Sequence, residues 1–327
     1  METDVLSNPV SLRDAQRNRR LEVIGIDIGG TAVKLGRFGL DGSCHQSMTV
    51  ATPKPQLPAT VLEVIVDAIA QLDPEQECLA IGVGLPGPVD GPGRISKIAI
   101  NLVSWQDIPF ADWLEEKTGL PVILANDANC AALGEAWTGA GRQFQNLIML
   151  TLGTGVGGGI ILDGKLFTGH RGAAGELGLI TIELYGHKCN SGNRGSLEQH
   201  VSVPAVRRRT SLTPAELAHM AKVGNRQALE FWKTYGHHLG AGLANLIYIL
   251  TPEAIVIGGG ISESAEYFLP ATLSEIEQRV LPISREGLQL LVAQLGNRAG
   301  MVGAAKLAWQ MISQKSASTS QQTKSAG

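Results

Sequence analysis

Aromatic residues make up only 5% of this 327-residue sequence, and its four cysteines, Cys44, Cys78, Cys130 and Cys189, form no C-x-x-C pair. Such sparse, scattered thiols argue against a disulfide framework and predict a reduced, cytoplasmic chain. No apolar run approaches the roughly 18 residues that a membrane span needs. The N-terminus also lacks the basic-then-apolar pattern of a secretory signal. A net charge of −3 supplies no basic field for nucleic acid or anionic lipid. Two common nucleotide signatures are missing as well. There is no P-loop G-x-x-x-x-G-K-[ST], and no G-x-G-x-x-G opens a helix after a strand.

Glycine, by contrast, is abundant at 40 residues, alongside 44% apolar and 17% charged residues. That balance fills cores, and the length suits two domains of an α/β enzyme with many tight turns. The stretch Ile24–Lys34 organises the rest. A buried strand, Val23–Ile28, stops at Gly29-Gly30, and a second strand leaves through Val33 and Leu35, which predicts a β-hairpin. The glycines free backbone N–H groups to converge on an anion, and Thr31 adds a hydroxyl. Asp27 at the shoulder is placed to hold a hydrated Mg²⁺. With Lys34, these residues describe a phosphate site; an ordinary Gly-Gly hairpin is the plainer alternative.

Further along, helical apolar spacing covers Val61–Leu72, and Leu79–Gly84 reads as a strand running into G-L-P-G-P-V-D at Asp90. A short helix is predicted over Phe110–Thr118, a strand over Val122–Ala125 and a helix over Ala128–Trp137. The pattern then restarts: Asn146–Leu152 is a buried strand, G-T-G-V-G-G-G a turn and Ile160–Leu162 a strand. Strand, Gly-rich turn, strand is the device of residues 23–35 used twice, and an internal duplication is the economical explanation. Gly153, Thr154 and Gly155 offer a second set of phosphate ligands, facing the first across a cleft. After a third buried strand, Gly258, Gly259 and Gly260 let a flat ring approach the backbone. Helices are expected over Pro214–Val223, Arg226–Leu250, Glu263–Val280 and Val302–Ile312, with a strand at Leu288–Leu291.

Asp127 is the candidate base. It follows a strand and stands at a helix N-terminus, where the dipole should keep it ionised and weakly basic. Weak basicity suits phosphoryl transfer, in which the nucleophile's proton leaves late. Asn126 beside it can hydrogen-bond a polyol. Capping its own helix is the competing role for Asp127.

D-I-G-G-T-A-V-K, G-L-P-G-P-V-D, N-D-A-N, L-G-T-G-V-G-G-G, G-A-A-G-E-L-G and V-I-G-G-G-I-S occur in this order. Together, from Leu21 to Trp309, they resemble the ROK family of sugar kinases and sugar-responsive repressors. The resemblance implies a two-domain actin-like ATPase fold with the active site between the domains. The expected division is a flexible arm 1–20, a smaller α/β domain 21–125 joined by the helix 301–313, a larger domain 126–300 and a disordered tail 314–327. The implied reaction is Mg-ATP-dependent phosphorylation of a hexose, glucose to glucose 6-phosphate, with Asp127 accepting the hydroxyl proton. Asn101, Asn126, Glu176 and Glu198 match sugar-binding positions. Asp27, Gly29, Gly30, Thr31 and Lys34 match the first phosphate site; Gly153, Thr154 and Gly155 match the second; and Gly258–Gly260 match the adenosine side. Homodimerisation is a further implication.

One segment departs from the family pattern. Its G-E-x-G-H and C-x-C-G-x-x-G-C-x-E elements supply a His and three Cys to a structural zinc. Here Leu179 replaces the His, and Ser191 and Ser196 replace two of the Cys, leaving Cys189 alone. One thiolate does not make a tetrahedral site, so no structural zinc is expected. The family His also contacts sugar, so Leu179 leaves another hexose or an N-acetylhexosamine open as substrate, and polyphosphate stays open as donor. A cytosolic sugar sensor without turnover is the alternative of a different class. DNA binding is not expected, because the 20 residues ahead of Leu21 are too few for a winged helix-turn-helix.

Overall fold

The computed structural model describes residues 21–99 and 102–325. Strand β1 (Glu22–Ile28) is buried on both faces and pairs antiparallel with β2 (Ala32–Gly39), a register that sets Asp27 directly opposite Lys34. β3 (Cys44–Ala51) is the exposed edge, and α1 (Pro58–Leu72) follows with a proline in its first turn. β4 (Ile81–Leu85) lies parallel to β1. A two-stranded ribbon, β5 (Ser96–Ile98) and β6 (Gln106–Ile108), leads to α2 (Phe110–Thr118). β7 (Val122–Asn126) then completes a sheet ordered β3-β2-β1-β4-β7 and runs directly into α3 (Asp127–Thr138).

The second half repeats this plan. β8 (Leu147–Leu152), β9 (Val156–Leu162) and β10 (Lys165–Leu166) form the antiparallel side. Helices α4 (Glu198–Val201), α5 (Val203–Thr210), α6 (Pro214–Lys222) and α7 (Arg226–Leu250) precede β11 (Ala254–Gly258). α8 (Ala265–Arg279), β12 (Gln289–Val292) and α9 (Ala299–Ser325) finish the chain. The second sheet is ordered β10-β9-β8-β11-β12, position for position the order of the first. α9 therefore follows β12 as α3 follows β7, and these equivalent helices pack on one another between the sheets. Their backbones nearly touch. A β-carbon placed at Gly303 would lie 1.6 Å from the Cys130 carbonyl oxygen, and one at Gly134 would lie 2.4 Å from that of Ala299. Each half has its own core: Ile24, Ile26, Ile65 and Phe110 in the first, Trp232, Tyr235, Leu239 and Phe268 in the second. The buried Tyr235 hydroxyl donates to Val201 O at 2.7 Å, so this large ring is buried without leaving its polar atom unpaired.

Three features differ from the sequence reading. α9 continues to Ser325 where a disordered tail from 314 is expected, because no proline or glycine interrupts the chain between Gly303 and Gly327. The segment read as one helix over Glu263–Val280 opens with a 3₁₀ turn, Gly260–Ser264, before α8. The short pieces β5, β6, β10, α4 and α5 have too few residues to show a period. The arm 1–20 and Asn101 lie outside the described residues.

Candidate active site

A cleft of about 630 Å³ lies where corresponding ends of the two sheets meet the α3–α9 pair. The first hairpin contributes Asp27 and Lys34, and the start of α3 contributes Asp127 and Ala128. From the second half come Gly153–Gly155, between β8 and β9, and Gly259-Gly260 after β11. The turn at Gly153 closes on itself, with Gly153 N–H donating to Gly155 O at 2.9 Å. Gly259 is a position that only glycine fits, and Gly155 is crowded by a side chain. Gly259 has φ +83°, and a β-carbon there would lie 2.4 Å from Leu152 O; at Gly155 it would lie 2.8 Å from the Glu198 carboxylate.

Lys34 Nζ stands 3.7 Å from Asp27 Oδ2 and donates to Asn297 O at 2.9 Å. Burial raises the Asp27 pKa, and the Lys34 ammonium opposes that rise. On its other side Asp27 meets bare backbone, because a β-carbon at Gly300 would come within 2.8 Å of the carboxyl carbon. This carboxylate, facing a polar cleft, fits the outer shell of a hydrated Mg²⁺.

Asp127 is the first residue of α3, but it does not cap the helix. Asn126 does: its Oδ1 accepts from Ala128 N at 2.9 Å and Asn129 N at 3.1 Å, while its Nδ2 donates to Gly87 O at 3.2 Å. The Asp127 carboxylate accepts the adjacent Ala128 N–H, at 2.8 Å. The expectation that the helix dipole keeps its pKa low does not hold. Burial pushes Asp127 up to about 6, Asp27's charge adds to the rise, and the Ala128 and Asn126 contacts only partly offset it. A carboxylate near pKa 6 is a better proton acceptor at neutral pH than an exposed aspartate.

Asp127 also lines a second, small pocket of about 50 Å³, walled by Asn126, Asn129, Gly158, Gly175 and Glu176. Glu176 has its pKa raised by desolvation against the pocket wall, with the charge of Glu198 adding to it. Glu198 is anchored, accepting Val156 N–H at 2.9 Å through Oε2. Two pockets therefore meet at one carboxylate, an arrangement able to take a proton from a hydroxyl on one side while a phosphate waits on the other.

Of the residues singled out in the sequence, the large cleft gathers Asp27, Lys34, Asp127, Gly153, Thr154, Gly155, Gly259 and Gly260. Asn126 and Glu176 line the small pocket. Gly29, Gly30 and Thr31 form the hairpin turn beside the cleft without lining it, and Gly258 lies beneath, packed on Met149. Ser262, Glu263, Gln294, Asn297 and Gly300 also line the cleft. Ser262 closes the V-I-G-G-G-I-S motif, whereas no motif marks Glu263, Gln294, Asn297 or Gly300.

The segment that resembles a zinc site is held by hydrogen bonds. Cys189 N–H donates to Asn193 O at 2.8 Å, and Asn193 Nδ2 donates to Leu179 O at 2.8 Å and Thr181 Oγ1 at 3.0 Å. Among the described residues no group of three His, Cys, Asp or Glu side chains is arranged to hold a metal ion. These residues do not fit a Cys₃His zinc. Nor, among the described residues, is any helix long and apolar enough to cross a membrane.

Comparison with known proteins identifies the family. The ROK family model matches residues 23–311. A glucokinase from Thermotoga maritima is 33% identical over 90% of this chain and 99% of its own. A ROK family glucokinase from Streptomyces griseus, crystallised with glucose and AMPPNP, superposes with a TM-score of 0.74 at 33% identity, over 88% of this chain and 99% of that one. A xylose repressor from Caldicellulosiruptor bescii is 30% identical over 86% of this chain and 76% of its own. The duplicated sheets are those of the actin-like ATPase fold, and the chain belongs to the ROK family.

Proposed function

We propose that this sugar kinase transfers the terminal phosphate of ATP to the 6-hydroxyl of glucose, with Asp127 as the general base. The observation that carries the reading is the Asp127 carboxylate at the junction of the two pockets, its pKa raised to about 6. In this reading the sugar sits in the small pocket, enlarged as the halves close, against Asn126 and Glu176 and towards Glu198. Paired hydrogen bonds to its hydroxyls set its orientation, since each buried polar group left unpaired costs about 1–3 kcal/mol. The Gly153–Gly155 turn and the first hairpin cradle the phosphates, and Gly259-Gly260 give a purine close access to the backbone. Asp27 would hold Mg²⁺ through water, and the ion's charge would offset that of the phosphates. Asp127 accepts the hydroxyl proton late, so its placement matters more than its basicity. The glucokinase relatives, and the glucose and AMPPNP in the Streptomyces griseus structure, support both sugar and nucleotide.

Leu179 is the residue that puts glucose to the test, because an apolar side chain stands where the family has a sugar-contacting His. The deciding measurement is ADP release from Mg-ATP across a panel of hexoses and N-acetylhexosamines. Turnover with glucose well above all others is expected. Preference for another sugar would overturn the glucose assignment, and no turnover on any would favour a sugar sensor.

A further inference from the structure

We propose that a third cavity, of about 500 Å³, is a regulatory site for a phosphorylated sugar. It shares none of its lining with the large cleft but shares Asn126, Asn129 and Gly172 with the small pocket. Its volume is that of a small-metabolite site.

The chemistry of the wall selects the ligand. Lys165 on β10 and Lys306 on α9 both line the cavity, and neither pairs with a carboxylate among the described residues. Lys306 is half-buried with its ammonium 4.9 Å from the centre of the Trp137 ring, and burial favours its neutral form, a cost that a bound anion would relieve. The acid in the lining, Asp90, is turned into its own loop, its Oδ1 accepting from Arg94 N at 2.6 Å and Ile95 N at 2.8 Å. The two lysines outnumber the one acid of the lining and neither forms an ion pair among the described residues, so the wall presents positive charge suited to a phosphate. The rest of the wall offers hydroxyl partners. Thr168 and Gln310 line the cavity, and on the wall shared with the small pocket Asn129 Oδ1 is buried without a hydrogen-bond donor. A polyol supplies donors of that kind.

Position gives the consequence. Lys165 belongs to the second sheet, whereas α9 lies against β1 and β4 of the first, so an anion held by both lysines ties the two halves together. The cavity also touches Asn126 and Asn129, which flank Asp127 on the first turn of α3. Occupation therefore lowers kcat by fixing the halves and the catalytic turn, acting through the shared Asn126–Asn129 wall rather than by filling the sugar pocket.

Calorimetric titration of glucose 6-phosphate into the wild type, the Lys165→Met variant and the Lys165→Met/Lys306→Met variant tests this. Binding at the front site is common to all three proteins, so the difference reports the third cavity. At least tenfold weaker binding by the double variant is expected, with its basal rate unchanged. With saturating sugar and Mg-ATP, glucose 6-phosphate should lower wild-type kcat at least twofold and leave the double variant unaffected. Equal binding by wild type and variants, or inhibition that added sugar fully relieves, would overturn the site. Inorganic phosphate binding as tightly as glucose 6-phosphate would overturn the sugar-phosphate assignment. Lys165 is exposed, so its single substitution keeps the test open should the double variant misfold. The heat signal does not depend on turnover, so it stays readable if the proposed substrate is wrong.

Discussion

At the residue scale, the proposed role of Asp127 as base sets catalysis against stability. Its folded pKa of about 6 lies above the ordinary 3.8, so the native state holds a proton that the unfolded chain has released between those values. The stability this contributes is complete below pH 3.8 and is lost as pH rises through 6. Above that, an ionised carboxylate sits in a mostly buried place at a cost of about 2–3 kcal/mol, from roughly 1.4 kcal/mol per pKa unit. Asp127→Asn removes the charge and keeps the shape. Two outcomes are expected. Turnover falls by about 10²–10⁴, the usual worth of a positioned base, while calorimetry shows sugar binding retained. Denaturant unfolding shows the variant more stable than wild type at pH 8, with the advantage gone near pH 4. Retained turnover would remove Asp127 as base; a variant less stable at pH 8 would refute the burial argument. In the wild type, the same pKa predicts that kcat/KM drops about tenfold per unit below pH 6, as the base becomes protonated.

Elements explain which parts of this molecule the sequence revealed. A hairpin with glycines at its tip is written locally, so β1–β2 and β8–β9 were legible, and their repetition exposed the duplication. What Asp127 becomes was not, because its pKa depends on Asp27 and on the packing of a second half that begins after it. Asn126 as the cap was equally hidden: N-D at a helix start leaves open which residue turns inward. The α3–α9 contact was missed because Gly134 and Gly303 lie far apart in sequence and belong to no motif. That contact is now testable. Gly303→Ala forces a methyl group to within 1.6 Å of Cys130 O, and two backbones must separate to admit it. A loss of at least 1–3 kcal/mol is expected from chemical denaturation, the ordinary cost of overpacking, with kcat reduced because α3 carries Asp127. Wild-type stability would show that the helices do not meet there. The Cys189–Asn193 turn gives a second test at this scale. Backbone and amide hydrogen bonds hold it, so less than one equivalent of zinc is expected by elemental analysis, and a chelator should leave the Tm unchanged. A full equivalent of zinc would mean that a metal holds the segment after all.

For the whole molecule, the distribution of charge favours ATP as the phosphoryl donor of the proposed reaction. Net charge is −3, and the large cleft concentrates the acidic side: Asp27, Asp127 and Glu263 line it against one ammonium, Lys34, which already leans on Asp27. A short triphosphate needs little more than this, because backbone N–H groups at the glycine turns and one divalent cation answer its charge. Long-chain polyphosphate carries a negative charge on every unit and has no base to rest on Gly259-Gly260, so it needs a track of lysines or arginines leading out of the cleft. Among the described residues the lining offers none. With Mg-ATP replaced by long-chain polyphosphate at equal phosphate concentration, the rate should fall at least a hundredfold, and raising ionic strength should not recover it. Comparable rates with the two donors would mean that a basic path reaches Asp127 from outside this cleft, and the front site would have to be redrawn around it.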